Sequence, residues 1–147
     1  DLYGALESGQ DLLDKYQELV LVFPKDVKYP PEIVRGFRNF CAHFHKNGRT
    51  IESASSENEL RGRAYAVLED SDLAELVKKA KLQGLKLGTD VGVMAFNDTP
   101  LKEVLADGIT VISTDHEEMG RSTAMLIMEG NTAQIKNPFG LIRRGSL

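Results

Sequence analysis

Short apolar runs alternate about five times along this chain with amphipathic runs, and the connections between them are short and polar. The strongest apolar run is VGVMAF at 91–96, where no polar face alternates with an apolar one. A strand of this kind is covered on both faces, as in a parallel sheet between two layers of helices. Further strands are predicted at 19–23, 50–53, 64–68 and 109–113, and a short one near Ile135 or Leu141.

Apolar residues at helical spacing occupy the segments between these strands. Strands and helices in alternation are typical of βαβ units, so the expected class is α/β: a three-layer αβα architecture with a mainly parallel sheet and right-handed crossovers. Helices are predicted over 2–17, from Pro30-Pro31 to Asn47-Gly48, from a Ser71 or Asp72 cap to Gly84, from an Asp98 or Thr99 cap to Gly108, and from a capping box at 114–117.

Composition limits the partners that this segment can have. It has 147 residues, 41% of them hydrophobic, and a net charge of −4, which fits one globular domain without the basic footprint of a nucleic-acid binder. No apolar run approaches the roughly 20 residues of a membrane span. The single Cys41 favours a reducing compartment, and hence the cytoplasm. Because the chain begins with Asp1, we expect it to be part of a longer protein.

Asn97 and Asp98 are the first candidate binding residues. They follow the 91–96 strand directly, and ligands of open α/β sheets collect outside the carboxyl ends of the strands. Amide and carboxylate groups can meet hydroxyl groups in a fixed pattern. The alternative for Asp98 is that it only caps the next helix.

Acidic, basic and aromatic side chains supply further candidates near other predicted strand ends. Asp70 and Asp72 lie between a strand and a helix, where several carboxylates favour hydroxyl groups or a cation over an anion, although helix capping also explains Asp72. Tyr29 lies beside charged residues in a loop that suits sugar stacking, although an ordinary solvated loop explains the same pattern. Lys25 and Arg35 are the charged candidates there. Asp115 is either a cleft residue or a member of the capping box.

Motifs of catalysis and metal binding are absent from the sequence. G-x-S-x-G, G-x-G-x-x-G and G-x-x-x-x-G-K-[ST] do not occur. His43 and His45 are two residues apart on a predicted helix and point to different faces, and His116 has no second ligand at metal spacing. We therefore expect no enzyme activity, no metal and no cofactor. An enzyme of flavodoxin-like fold is the weaker rival, since the first strand ends in Phe-Pro-Lys rather than in acidic residues.

Several motifs together resemble one known family. They are FND at 96–98, GITVI at 108–112, Thr114-Asp115 with Met119-Gly120, and the closing LIRRGS at 141–146, with Gly36-Phe37, 64–73, Asp1 and Gly4 in support. These residues resemble the effector-binding domain of LacI/GalR-type transcriptional regulators, a fold shared with periplasmic sugar-binding proteins. The sequences EDSDL at 69–73 and FNDTPL at 96–101 are similar to those of regulators that carry a GntR-type winged-helix headpiece.

The resemblance implies a sensor that is only partly contained in this chain. Residues 1–147 would form the carboxyl-terminal subdomain of a type I periplasmic-binding-protein-like domain, with 114–130 returning to an amino-terminal subdomain. The family implies a small-molecule effector, typically a sugar, that closes a hinge. It also implies a homodimer, for which the 2–17 stripe and the 109–113 edge are candidate surfaces, and DNA binding only through a headpiece outside this chain.

This sequence departs from the family pattern at two cleft positions. The sugar-contacting aspartate falls at Asn97, and an arginine often used in the cleft falls at Ile33, with Arg35 nearby. The effector's identity is therefore left open. The alternative function is that of a periplasmic sugar-binding protein in a transport system, which would carry a signal peptide instead of a winged helix.

Overall fold

The computed structural model describes residues 2–147, which form six helices and six strands, with two short 3-10 turns. The strands are β1 (Glu18–Val22), β2 (Asn47–Ile51), β3 (Arg63–Val67), β4 (Gly92–Phe96), β5 (Thr110–Thr114) and β6 (Phe139–Ile142). The helices are α1 (Leu2–Ser8), α2 (Gln10–Leu13), α3 (Glu32–His43), α4 (Asp70–Leu82), α5 (Pro100–Val104) and α6 (His116–Glu129).

The six strands form a single sheet in the order β2-β1-β3-β4-β5-β6. The first five are parallel, and β6 pairs antiparallel with β5, with Ile112 opposite Leu141. The mainly parallel α/β sheet is confirmed. So is the short strand at Leu141, whereas Ile135 lies in the exposed segment before it.

Two apolar clusters cover the two faces of the sheet, which confirms the three-layer arrangement. Alternate residues of each central strand enter opposite clusters, as the pleat of a strand requires. Leu19 and Leu21 of β1 pack with α1, α2 and α3, while Val20 and Val22 pack with α4. The run at 91–96 is buried at every position, as its unbroken apolar pattern predicts.

The predicted helix over 2–17 is wrong in its length, because α1 stops at Ser8 and α2 at Leu13. The break lies at Gly9. A Cβ atom there would be 2.4 Å from Cδ2 of Leu141, so the chain bends where β6 crosses closely. The sequence pattern of the first helix contains no trace of that contact with the far end of the chain.

Three other boundaries also differ from the predictions. The second helix ends at His43, and β2 begins at Asn47, because Glu18 of β1 pairs with Asn47. Helix α4 begins at Asp70, with Glu69 at the N-cap position, where it makes no side-chain cap bond. Ser71 and Asp72 therefore lie inside the helix and do not cap it. The last capping box is shifted by one residue: Asp115 accepts from the N–H of Glu118.

The apolar stripe on 2–17 is not available as a dimer surface. Leu2, Ala5, Leu6 and Leu13 are buried within this chain against α3 and β6. The predicted edge at 109–113 is wrong for a related reason, since β6 covers that side of β5. The stripe is covered by α3 together with β6, and the edge is covered by β6.

Candidate functional site

Loops after the five parallel strands lie at one side of the sheet, which we call the carboxyl edge; its residues are 23–31, 52–53, 68–70, 97–99 and 115. From β1 the chain adds β2 on one side of the sheet, and from β3 it adds β4 and β5 on the other side. Open α/β sheets bind ligands in the crevice at such a switch point, which here lies between β1 and β3. The structure thus brings the loops that carry Tyr29, Asp70 and Asn97 to the same edge.

One hydrogen bond spans the crevice between β1 and β3. The hydroxyl of Tyr29, from the loop after β1, donates to the carboxylate of Glu69, at the end of the segment after β3. This bond and partial burial raise the pKa of Tyr29 to about 12, so the hydroxyl stays protonated at neutral pH. The ring of Tyr29 lies 6.1 Å from the ring of Phe23, which places aromatic surface beside these polar groups.

A buried lysine joins the next two loops. The side chain of Lys102, on α5, is 5% exposed, and its ammonium lies 2.9 Å from the Asp70 carboxylate. It also donates to the carbonyl oxygens of Phe96 and Asn97, at 2.9 and 2.8 Å. Asn97 has a left-handed backbone with φ of 63°, a conformation that asparagine adopts more readily than most residues. Its side chain is exposed and makes no hydrogen bond to residues 2–147.

Asp98 is held by a residue from the end of the chain. Both of its carboxylate oxygens accept from the Arg144 guanidinium, each at 2.8 Å. These bonds keep the pKa of Asp98 below its ordinary range, although partial burial opposes the shift. Thr99, not Asp98, caps α5 by accepting from the N–H of Lys102. Asp98 is therefore an ionised carboxylate, fixed in orientation, beside a cavity.

Two cavities at this end of the molecule share Phe139 in their lining. One, of about 680 Å³, lies between α5, β6 and the start of α6, and Asp98 and Asp115 line it. The other, of about 940 Å³, lies between α1, α3 and the sheet, and Arg35 and Phe96 line it. A small polar ligand would fit in either volume. Of the predicted residues, Asp98 and Asp115 thus line the first cavity and Arg35 lines the second, whereas Tyr29, Asp70 and Asn97 lie at the carboxyl edge and line neither.

Lys25 and Asp72 occupy other positions. Lys25 forms an exposed ion pair with Glu52, at the end of the edge beyond β1. Asp72 is buried and accepts from the backbone N–H of Ala54 at 2.8 Å, so its carboxylate joins α4 to the connection between β2 and β3. The geometry gives Asp72 a structural contact rather than a position in either cavity.

The sequence alone does not single out Lys102, Glu69 or Phe139. A charged residue in a short helix usually faces solvent, so nothing in the pattern marks Lys102 as buried. Arg144 belongs to the closing LIRRGS motif, but its partner Asp98 lies 46 residues away. The groups that organise this edge are long-range contacts.

The chemistry available here is recognition by hydrogen bonds and apolar contact. Amide, carboxylate, hydroxyl and guanidinium groups surround the two cavities, with aromatic rings between them. Within the described part of the chain, no three His, Cys, Asp or Glu side chains come together as metal ligands would.

Comparison with known proteins places this geometry in a family. The model of the periplasmic binding protein-like domain matches residues 14–147. The chain belongs to the periplasmic binding protein-like domain family. A comparison with curated protein sequences found no significant match.

Solved structures of LacI-family regulators have the same fold, which confirms the resemblance seen in the sequence. The Lac repressor bound to ONPG in its repressed state matches with a TM-score of 0.68 at 17% identity, over 99% of this chain and 51% of that one. A LacI family regulator from Bifidobacterium animalis subsp. lactis matches with 0.74 at 17% identity, over 99% and 61%. The Escherichia coli transcriptional repressor ascG matches with 0.71 at 16% identity, over 99% and 61%.

This chain therefore spans between about half and three fifths of the length of those three structures. Within residues 2–147, no helix combines the length and apolarity needed to cross a bilayer.

Proposed function

We propose that this chain is the effector-binding part of a bacterial transcriptional regulator, which senses a sugar or a related small polar metabolite. The observation that carries the proposal is the convergence of Tyr29, Asp70 and Asn97 at the carboxyl edge of one parallel sheet, where Tyr29 contacts Glu69 and Lys102 contacts both Asp70 and Asn97. Free amide and carboxylate oxygens there suit hydroxyl groups, and nearby aromatic rings suit the apolar face of a sugar.

The chain is one of two halves of the sensor in this proposal. Residues 1–147 form the carboxyl-terminal subdomain, and 114–130 return to an amino-terminal subdomain elsewhere in the protein. Support comes from α6, which fills most of that segment and buries none of its residues. Met128 is 86% exposed and Ile127 is 75% exposed, so α6 offers apolar surface to another part of the protein.

Hinge closure is the proposed mechanism. The chain leaves the sheet at Thr114-Asp115 and returns to it at Pro138-Phe139. The two crossings lie side by side, since the N–H of Asp115 donates to the carbonyl of Pro138. A ligand that touches both subdomains binds the closed state better than the open one. Only such a difference in affinity shifts the equilibrium between the two states.

Regulation of DNA completes the proposal. A homodimer transmits closure to DNA-binding headpieces outside this chain, of GntR-type winged-helix form, in the cytoplasm. A dimeric form of the Lac repressor with a similar fold supports the homodimer. The similar structures reported above are regulators, which supports this function over transport by a periplasmic sugar-binding protein.

The test is isothermal titration calorimetry of the full-length protein that contains this chain, against a panel of monosaccharides and nucleosides. Operator binding is then measured with and without each compound that binds. The expected result is saturable binding of at least one compound and a change in operator affinity. If no compound binds and operator affinity is indifferent to all of them, the sensor proposal is wrong.

A further inference from the structure

The ammonium of Lys102 is the point at which two candidate ligand loops meet. Its side chain is 5% exposed, whereas the Asp70 carboxylate that it contacts is 74% exposed. An ammonium has three N–H donors, and here three acceptors lie within 2.9 Å of it: Asp70, the carbonyl of Phe96 and the carbonyl of Asn97. Asp70 and Asn97 are exposed at the carboxyl edge, where a ligand would meet them, while the Lys102 side chain that contacts both is buried.

We propose that Lys102 is a positioning residue of the effector site, which fixes Asn97 and Asp70 in the geometry that ligand recognition requires. This inference rests on the proposed function for its link to a ligand. Lys102 itself does not touch the ligand. It acts through the side chain of Asp70 and the backbone of Asn97.

The backbone of Asn97 explains why such a support is needed. Its φ of 63° turns the carbonyl toward Lys102, and its N–H donates to the carbonyl of Ile112 at 2.9 Å. The left-handed conformation is less favourable than the extended one for residues other than glycine. The charge-assisted bond from Lys102 at 2.8 Å therefore stabilises the left-handed conformation in which the Asn97 side chain is exposed.

Repulsion between carboxylates is a second reason why the site needs Lys102. Glu69 and Asp70 follow β3 and Asp98 follows β4, so three carboxylates lie at the same edge, and like charges repel each other. Arg144 compensates Asp98, and Lys102 compensates Asp70. With its charge held in this way, the Asp70 carboxylate keeps an exposed oxygen with which to accept from a ligand hydroxyl.

Lys79 provides a matched control within the same chain. Its ammonium also donates to three carbonyl oxygens, those of Ala54, Ser55 and Glu57, at 2.9, 3.0 and 2.7 Å. These carbonyls lie in the connection between β2 and β3 and line neither cavity. Lys79→Met therefore removes a similar set of bonds without touching the candidate site.

Amide hydrogen exchange of the full-length protein tests the structural half of the inference. Lys102→Met is expected to speed exchange at Asn97 by about tenfold or more, the effect of losing a hydrogen bond to a charged group. Lys79→Met is expected to leave Asn97 unchanged. If Lys102→Met does not fold, Lys102→Gln is the substitute, with Lys79→Gln as its control. Exchange at Asn97 that is equal in a variant and its control overturns the proposal.

Calorimetry with the monosaccharide that binds the wild-type protein most tightly tests the functional half. Lys102→Met is expected to weaken binding by about tenfold or more, and Lys79→Met by less than about twofold. Equal losses in the two variants overturn the positioning role. If neither a monosaccharide nor a nucleoside binds the wild type and operator affinity is indifferent to all of them, the proposed function fails, while the exchange experiment still decides whether Lys102 fixes Asn97.

Discussion

Helices α4 and α6 have nearly equal lengths, 13 and 14 residues, but they relate to the rest of the molecule in opposite ways. The first buries Leu73, Leu76 and Ala80 against the sheet. The second buries nothing, and Ile127 and Met128 on it are mostly exposed. An amphipathic pattern thus predicts a helix equally well in both cases, but it does not say which surface the apolar face will meet.

This difference has an energetic consequence. Helices of this length are marginal in water without tertiary contacts, so α4 is stabilised by its packing and α6 depends on its own capping and on a surface outside residues 2–147. If 114–130 is the return segment of a two-subdomain sensor, the missing surface is the other subdomain. Four substitutions sharpen this contrast.

The largest effect is expected from Leu76→Ala on α4. Leu76 is fully buried, so the variant loses the burial of the side chain and leaves a cavity, at a cost of about 3 kcal/mol. Urea unfolding followed by circular dichroism measures the loss. A change below about 1 kcal/mol would mean that α4 is not packed as described.

A smaller loss, which depends on pH, is expected from Glu57→Gln beside α4. The buried Glu57 accepts from Arg49 at 2.8 and 2.7 Å and from Tyr65 at 2.8 Å. The bonds from Arg49, more than any other cause, keep the pKa of Glu57 below its ordinary value. At pH 7 the variant is expected to be about 2 kcal/mol less stable than the wild type.

The sign of the pH dependence follows from the lowered pKa. Because the unfolded chain takes up the proton first, the contribution of Glu57 is complete above the ordinary glutamate pKa and is lost as pH falls through the lower folded value. The difference in urea midpoint between the wild type and Glu57→Gln is therefore expected to be smaller at pH 3 than at pH 7. Glu117→Gln on α6, in an exposed ion pair, is the control. A difference between the wild type and Glu57→Gln that is the same at both pH values would contradict the lowered pKa of Glu57.

Asp115→Ala tests how far α6 depends on its cap. The Asp115 carboxylate accepts from the N–H of Glu118 at 2.9 Å, and the loss of such a cap costs about 1 kcal/mol. Because α6 is not packed on the sheet, we expect faster amide exchange in its first turns and no change in the urea midpoint. A shift of the midpoint would show that α6 is coupled to the body of the fold.

The smallest effect is expected from Ile127→Ala on α6. In this chain the side chain is 75% exposed, so the free energy of unfolding is expected to change by less than about 0.5 kcal/mol. In the full-length protein the same substitution is expected to be destabilising. Negligible effects both in this chain and in the full-length protein would contradict the proposal that α6 packs against an amino-terminal subdomain.

Patterns that arise from local sequence predict this fold well. The run at 91–96 becomes the buried β4, and Thr99 with Pro100 begins a helix as expected. What the pattern misses depends on contacts that are distant in sequence. Leu141 packs closely against Gly9, at the break between α1 and α2, and β6 covers the edge that 109–113 would otherwise expose.

The candidate site also has features that local sequence predicts and features that depend on long-range contacts. Its location follows from the parallel strands, because polar residues after each strand must meet at one edge. Its internal arrangement does not follow from them: the bonds from Lys102 to Asn97 and from Arg144 to Asp98 require the tertiary structure. Asp72 illustrates the limit, since its position after a strand is right for a ligand, but its carboxylate is buried on Ala54.

The most direct test of the central claim is the dissociation constant of the tightest-binding monosaccharide for Asn97→Ala, compared with Asn58→Ala, in the full-length protein. Asn97 lies at the carboxyl edge, while Asn58 is exposed in the connection between β2 and β3. We predict that Asn97→Ala weakens binding by about tenfold and that Asn58→Ala leaves it unchanged. Equal affinity in the two variants would contradict a ligand site at this edge.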